Sequence, residues 1–116
     1  MINLYKDFQI KQNHTNEIIE TDFSGVLRLQ GHTDYLPYFS KIYHLIQSED
    51  KHHVINLSEL KFLNSNGLIA LGQCFIYARD YNRSLTIIVN NNIPWQTKSI
   101  SALHKLWDKV TIQLTK

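Results

Sequence analysis

At 116 residues the chain is the size of one domain, residues 1–116, with room for an α/β core that needs neither disulfides nor metal. A formal charge of +2 does not supply the concentrated basic surface of a dedicated nucleic-acid binder, and 43% hydrophobic residues, with Tyr and Phe spread along the chain, exclude disorder. Cys74 is the only cysteine, which excludes an intramolecular disulfide. No apolar run reaches membrane-spanning length or follows a basic leader, so a soluble, cytoplasmic protein without membrane insertion is expected.

Residues 5–11 and 17–23 are rich in strand-forming side chains, and the polar turn Gln12-Asn13-His14-Thr15-Asn16 separates them. Ser24-Gly25 reads as a second turn. Val26-Leu27-Arg28-Leu29-Gln30 then alternates apolar and polar residues, as a half-buried strand does, and Gly31 closes it. A helix is predicted over 34–47, where Leu36, Phe39, Tyr43 and Ile46 recur at three- and four-residue steps. Thr33 or Asp34 is the natural cap. Pro37 is tolerable only in a first turn and locates the start.

Val54, Ile55 and Leu57 form a short apolar run typical of a strand covered on both faces. A brief connection leads to Asn64-Ser65-Asn66-Gly67, a cluster of capping and turn residues. From Leu68 the spacing is helical: Leu68, Leu71, Phe75 and Ala78 line one stripe, with Ile69 and Ile76 widening it. Cys74 falls inside this helix as a packed thiol. After the turn Asn82-Arg83-Ser84 come a strand over 85–90, a loop at Asn90-Asn91-Asn92, a helix over 95–107 and a short strand over 110–114. A β opening followed by alternating strands and helices predicts an α/β fold: a mixed β-sheet packed by about three helices.

Ser65 is the position where chemistry is expected. Backbone N–H groups are unpaired at a helix start, and the helix dipole favours negative charge there. As local structure alone, this serine is an N-cap. It lacks the Gly-x-Ser-x-Gly elbow of a hydrolase, and His104 and Asp108, four apart, are placed to pair with each other. His52 and His53 are adjacent and would point to opposite faces of a strand, so no metal is expected. The four glycines form no phosphate-binding loop or dinucleotide fingerprint. No catalytic residue and no cofactor are expected; the chain reads as a non-enzyme.

The order strand, short connection, Asn64-Ser65-Asn66-Gly67-Leu68, helix resembles the STAS family, the small α/β domain shared by bacterial anti-sigma-factor antagonists and the cytoplasmic tails of sulfate transporters. There, Asp-Ser-Ser-Gly-Leu or a close variant opens the second helix. The resemblance runs from about Gly25 to the C-terminus and includes Leu85-Thr86-Ile87-Ile88-Val89 and Ile100-Ser101-Ala102-Leu103-His104-Lys105-Leu106-Trp107. The resemblance implies that residues 1–24 are a divergent N-terminal β segment of the same STAS-like domain.

The resemblance implies that Ser65 aligns with a serine phosphorylated by a histidine-kinase-like serine kinase acting as anti-sigma factor, with a serine phosphatase reversing the reaction. Asn64 replaces the aspartate and Asn66 replaces the second hydroxyl residue. Gly31-His32-Thr33-Asp34 matches a Gly-Glu-Leu-Asp-like segment at its glycine and aspartate. It implies that Asp34 contributes to kinase binding and shares a surface with Ser65. Thr33, Asn64, Asn66 and Gly67 complete the expected partner-binding set. Trp95, after Pro94 in the loop entering the last helix, is a candidate interface anchor. Three functions stay open: a phosphorylation-controlled partner-switching module, a constitutive STAS subunit of a larger assembly such as a lipid-transport ATPase complex, and a small-ligand sensor with an apolar cavity lined by residues such as Phe23, Phe62 and Trp95.

Overall fold

Four parallel strands, β3 (Ile18–Leu27), β4 (His52–Leu63), β5 (Leu85–Asn90) and β6 (Thr111–Thr115), stand side by side in chain order. β1 (Ile2–Leu4) and β2 (Phe8–His14) extend the sheet antiparallel from β3, giving the order β1-β2-β3-β4-β5-β6. The computed structural model describes the backbone of residues 2–4 and 7–115, and the side chains of residues 7–115. Three helices make the crossovers: α1 (His32–Ser48), α2 (Ser65–Tyr81) and α3 (Pro94–Leu103), the last extended by a 3-10 turn, His104–Leu106.

Each helix joins neighbouring parallel strands, and right-handed crossovers with one sense of strand order put all three on one face. The core lies there. Phe23 and Leu27 of β3, Ile55, Leu57 and Leu60 of β4, and Ile87 and Val89 of β5 are buried against Tyr35, Phe39 and Ile46 of α1, Leu71, Cys74 and Phe75 of α2, and Ile100 of α3. The opposite face carries the cross-strand row Lys11, Asp22, Asn56, Ile88 and Gln113. All three helix N-termini meet at the C-terminal edge of the parallel strands, where open α/β sheets place their sites.

β4 is longer than its apolar run. It continues to Leu63 and meets the α2 cap with no intervening connection. Between Asn56 and Glu59, and again between Leu60 and Phe62, it carries an extra residue relative to β3. These bulges shift the inward set from 53, 55 and 57 to 60 and 63, so a period-two reading stops at Leu57.

Other expectations need correction. Ser24-Gly25 is not a turn: β3 runs through it, with Gly25 at φ 92° beside the hairpin partner Phe8. A Cβ there would overlap the Asp7 carbonyl oxygen. The expected strand over 5–11 is β2 from Phe8; Tyr5 and Lys6 lie outside the described residues. α1 begins at His32 with Gly31 as its cap residue, so neither Thr33 nor Asp34 is the cap and Pro37 stands in the second turn. Its buried stripe includes Tyr35 (0% exposed), while Leu36 is 37% exposed. The last helix ends with the 3-10 turn at Leu106, short of Trp107.

Candidate functional site

The start of α2 is held by a network of neutral hydrogen bonds. Asn64, not Ser65, is the N-cap: its side-chain oxygen accepts from the Gly67 N–H at 3.0 Å. The same oxygen accepts from the Tyr35 hydroxyl at 2.6 Å. The other end of the amide donates to the Leu29 carbonyl at 2.7 Å. Tyr35 also receives the Leu29 N–H at 3.2 Å. Burial pushes its phenol above the ordinary value, so it remains a donor. Asn66 donates to the Gln30 carbonyl at 2.9 Å. The turn before α1 and the start of α2 are thereby stitched together.

Gly67 is buried, and a Cβ on it would overlap Leu63 and stand 3.0 Å from the Tyr35 ring. Within the expected partner-binding set it is the buried member. Ser65 is the first residue of α2 and is exposed; its hydroxyl makes no hydrogen bond among the described residues. Thr33 and Asp34 are exposed at the start of α1. Asp34 Oδ2 accepts from the Gly31 N–H at 3.0 Å and fixes the turn whose preceding residue, Gln30, accepts from the Asn66 amide. The first turn of α2 has no acidic residue, so its N-terminal dipole is uncompensated by the helix itself.

Trp95 lies in the first turn of α3, not in a loop, and is half-buried. Its indole N–H donates to the Leu60 carbonyl at 3.2 Å. Beside it the fully buried Gln96 donates to the Leu57 carbonyl at 2.6 Å and the Leu60 carbonyl at 2.9 Å, and accepts from the Asn90 N–H at 2.7 Å. β4 pairs with β5 only as far as Asn56, so this amide satisfies the backbone that the bulges leave unpaired. Gln96 and Tyr35 are the residues that the sequence reading missed. Tyr35 had a signal, since 35, 39, 42 and 46 form a helical stripe. Gln96 had none.

Phe23 is buried under the helices, whereas Phe62 is 36% exposed with the Arg28 guanidinium 4.9 Å from its ring centre. Phe62 is the outward neighbour of inward-facing Leu63, so these rings do not line one cavity with Trp95. His52 and His53 point apart as expected: His52 meets Ser84 and Thr86, while His53 meets the Glu49 carbonyl. His104 contacts the backbone carbonyls of Asp108 and Val110, not the Asp108 carboxylate. Cys74 is fully buried and burial pushes its thiol upward, as for an inert packed cysteine.

A crystal structure of an antisigma-factor antagonist STAS domain from Rhodobacter sphaeroides matches this fold with a TM-score of 0.55 at 12% sequence identity, covering 70% of this chain and 85% of that one. No protein-family model and no curated protein matches the sequence. No helix among the described residues is long and apolar enough to cross a membrane. The structural likeness, together with the parallel β3-α1-β4-α2-β5-α3-β6 succession, establishes the STAS-domain fold for this chain.

Proposed function

We propose that this chain is a non-enzymatic regulatory binding module of a bacterial partner-switching system, like an anti-sigma-factor antagonist, with Ser65 as its phosphoacceptor. The observation that carries the reading is the contrast at the start of α2. Asn64, Asn66 and Gly67 are committed to hydrogen bonds within the fold, while the Ser65 hydroxyl is exposed and uncommitted among the described residues. Thr33, Asp34 and Ser65 then form the docking surface, with Trp95 at its margin. The partner is a histidine-kinase-like serine kinase that serves as anti-sigma factor and transfers the γ-phosphoryl of ATP to the Ser65 oxygen. A serine phosphatase hydrolyses it. Phosphate brings nearly two negative charges. The helix N-terminus tolerates them, so the fold survives while an interface shaped for a neutral hydroxyl fails.

A constitutive STAS subunit of a larger assembly is the second reading. It is favoured by Asn66, which replaces the second hydroxyl and is tied to the Gln30 carbonyl. Intact-mass measurement after incubation with ATP and a histidine-kinase-like serine kinase from the same genome separates the two. The switch reading expects one phosphate on wild type, none on Ser65→Ala, and lost partner binding by Ser65→Asp. No phosphate on wild type, with Ser65→Asp still binding, favours the constitutive subunit.

A further inference from the structure

β6 is an edge of the sheet, and the free stretch of its backbone is sharply bounded. The Thr115 carbonyl accepts from the Asn91 N–H at 2.9 Å, so the backbone groups of Thr115 turn towards β5. Along a strand the N–H and C=O groups change sides from one residue to the next. Those of Thr111 and Gln113 therefore also turn towards β5, and those of Ile112 and Leu114 turn outward. Among the described residues nothing pairs with these outward groups. The open stretch stops at Val110, whose N–H donates to the Trp107 carbonyl at 3.4 Å and whose carbonyl accepts from the His104 ring at 2.7 Å.

Natural edge strands deter pairing with charges, proline or bulges. Thr111-Ile112-Gln113-Leu114-Thr115 has no charge and no proline, follows β5 without a register break, and leaves Leu114 62% exposed. It also reads alike in both directions: threonine, branched aliphatic, glutamine, branched aliphatic, threonine. We propose that β6 pairs antiparallel with β6 of a second copy of this chain, about a two-fold axis at Gln113. In that register Ile112 faces the second copy's Leu114, and the two exchange N–H and C=O, so every outward group of both strands is satisfied. Of the described residues, only this antiparallel register pairs both. The side chains agree with the backbone: Thr111 meets Thr115, Gln113 meets Gln113, and Ile112 meets Leu114. The aliphatic pairs lie on the helix face, where Ile112 and Leu114 line a cavity of about 510 Å³ with Val89 and Ile100. They extend its floor across the axis. A joint of one short strand pair is small, so the dimer is a dissociable one. Strands of the two copies run in opposite directions, which sets the two Ser65 surfaces at opposite ends and leaves the pairing independent of the switch.

The test is sedimentation equilibrium of the full chain over a range of concentrations, with amide exchange followed by NMR. Wild type should show a reversible monomer–dimer equilibrium, and exchange at Ile112 and Leu114 should slow as concentration rises. Leu114→Pro removes an outward N–H and leaves the bonds to β5 in place; it should weaken the dimer by about tenfold or more. Gln113→Lys and Gln113→Glu each set like charges opposite one another at the axis and should be monomeric alone. Their mixture should form a heterodimer, which also shows that both variants fold. Ser65→Asp should dimerise as wild type does. A wild-type chain still monomeric at about 1 mM would overturn the proposal. So would a dimer indifferent to Leu114→Pro, or a mixture of the two Gln113 variants no tighter than either alone. Ile112 and Leu114 amides that respond instead to an alternating Val-Thr peptide, with no self-association, would overturn it too and assign the edge to a foreign strand.

Discussion

The hydroxyl of Tyr35 donates a 2.6 Å hydrogen bond to the side-chain oxygen of Asn64, the atom that also caps α2. Asn64 therefore works at both ends, since its NH₂ group donates to the Leu29 carbonyl at 2.7 Å. A carboxylate can accept but cannot donate. Asn64→Asp should set two oxygens against each other and destabilise the fold by about 1–3 kcal/mol. Tyr35→Phe, which keeps the ring, should cost about 1 kcal/mol. Urea unfolding of the two variants checks both. An Asn64→Asp variant as stable as wild type would show that the amide is dispensable.

Gln96 supports three backbone groups of β4 and β5 from a fully buried position. Gln96→Leu should leave the Leu57 carbonyl and the Asn90 N–H without this partner and cost on the order of 3 kcal/mol, more than an ordinary surface substitution on α3. Trp95 fluorescence should report the same site, because its indole N–H shares the Leu60 carbonyl with Gln96. The checks are thermal unfolding and the position of the emission maximum.

Asp34 separates local structure from docking. Asp34→Asn keeps an oxygen for the Gly31 N–H, so stability should change by no more than about 0.5 kcal/mol. Asp34→Ala removes that acceptor and should cost about 1 kcal/mol. If Asp34 meets the kinase through its charge, both variants should bind the kinase more weakly. Calorimetric titration decides this, and unchanged binding by Asp34→Asn would remove the carboxylate from the interface.

Asp22 lies on the uncovered face of the sheet, between Lys11 and Asn56. Burial and the neighbouring Glu20 push its carboxyl from 3.8 up to about 7, against opposing contributions from Lys11 and Asn56. The folded state thus holds a proton that the unfolded chain releases. The resulting stability is fully present below pH 3.8 and is lost as pH rises through about 7. Asp22→Asn should be more stable than wild type at pH 8, with the gap closing towards pH 5. Paired denaturation curves across that range test it, and a constant gap would contradict the shift.

The alternation of apolar runs was enough to predict an α/β fold with a mixed sheet and three helices, because each element carries its own period. Val54, Ile55 and Leu57 marked an inner strand, and Leu71, Phe75 and Ala78 marked the buried face of α2. The capping cluster located the start of α2 within one residue, since capping is local chemistry. Tertiary structure decided what no local pattern carries. The bulges of β4 moved its inward set out of step, and their unpaired carbonyls found partners in Gln96 and Trp95, more than thirty residues later. Asn64 and Asn66 also tie the start of α2 to the turn before α1, because the chain brings the Leu29 and Gln30 carbonyls against their amides, a pairing that no local pattern carries. Ile69 had the spacing of a core residue and became exposed because α3 and its 3-10 turn pack beside α2 at Gly72 without covering that face. Periodicity fixes which side chains share a face; only packing decides which faces meet.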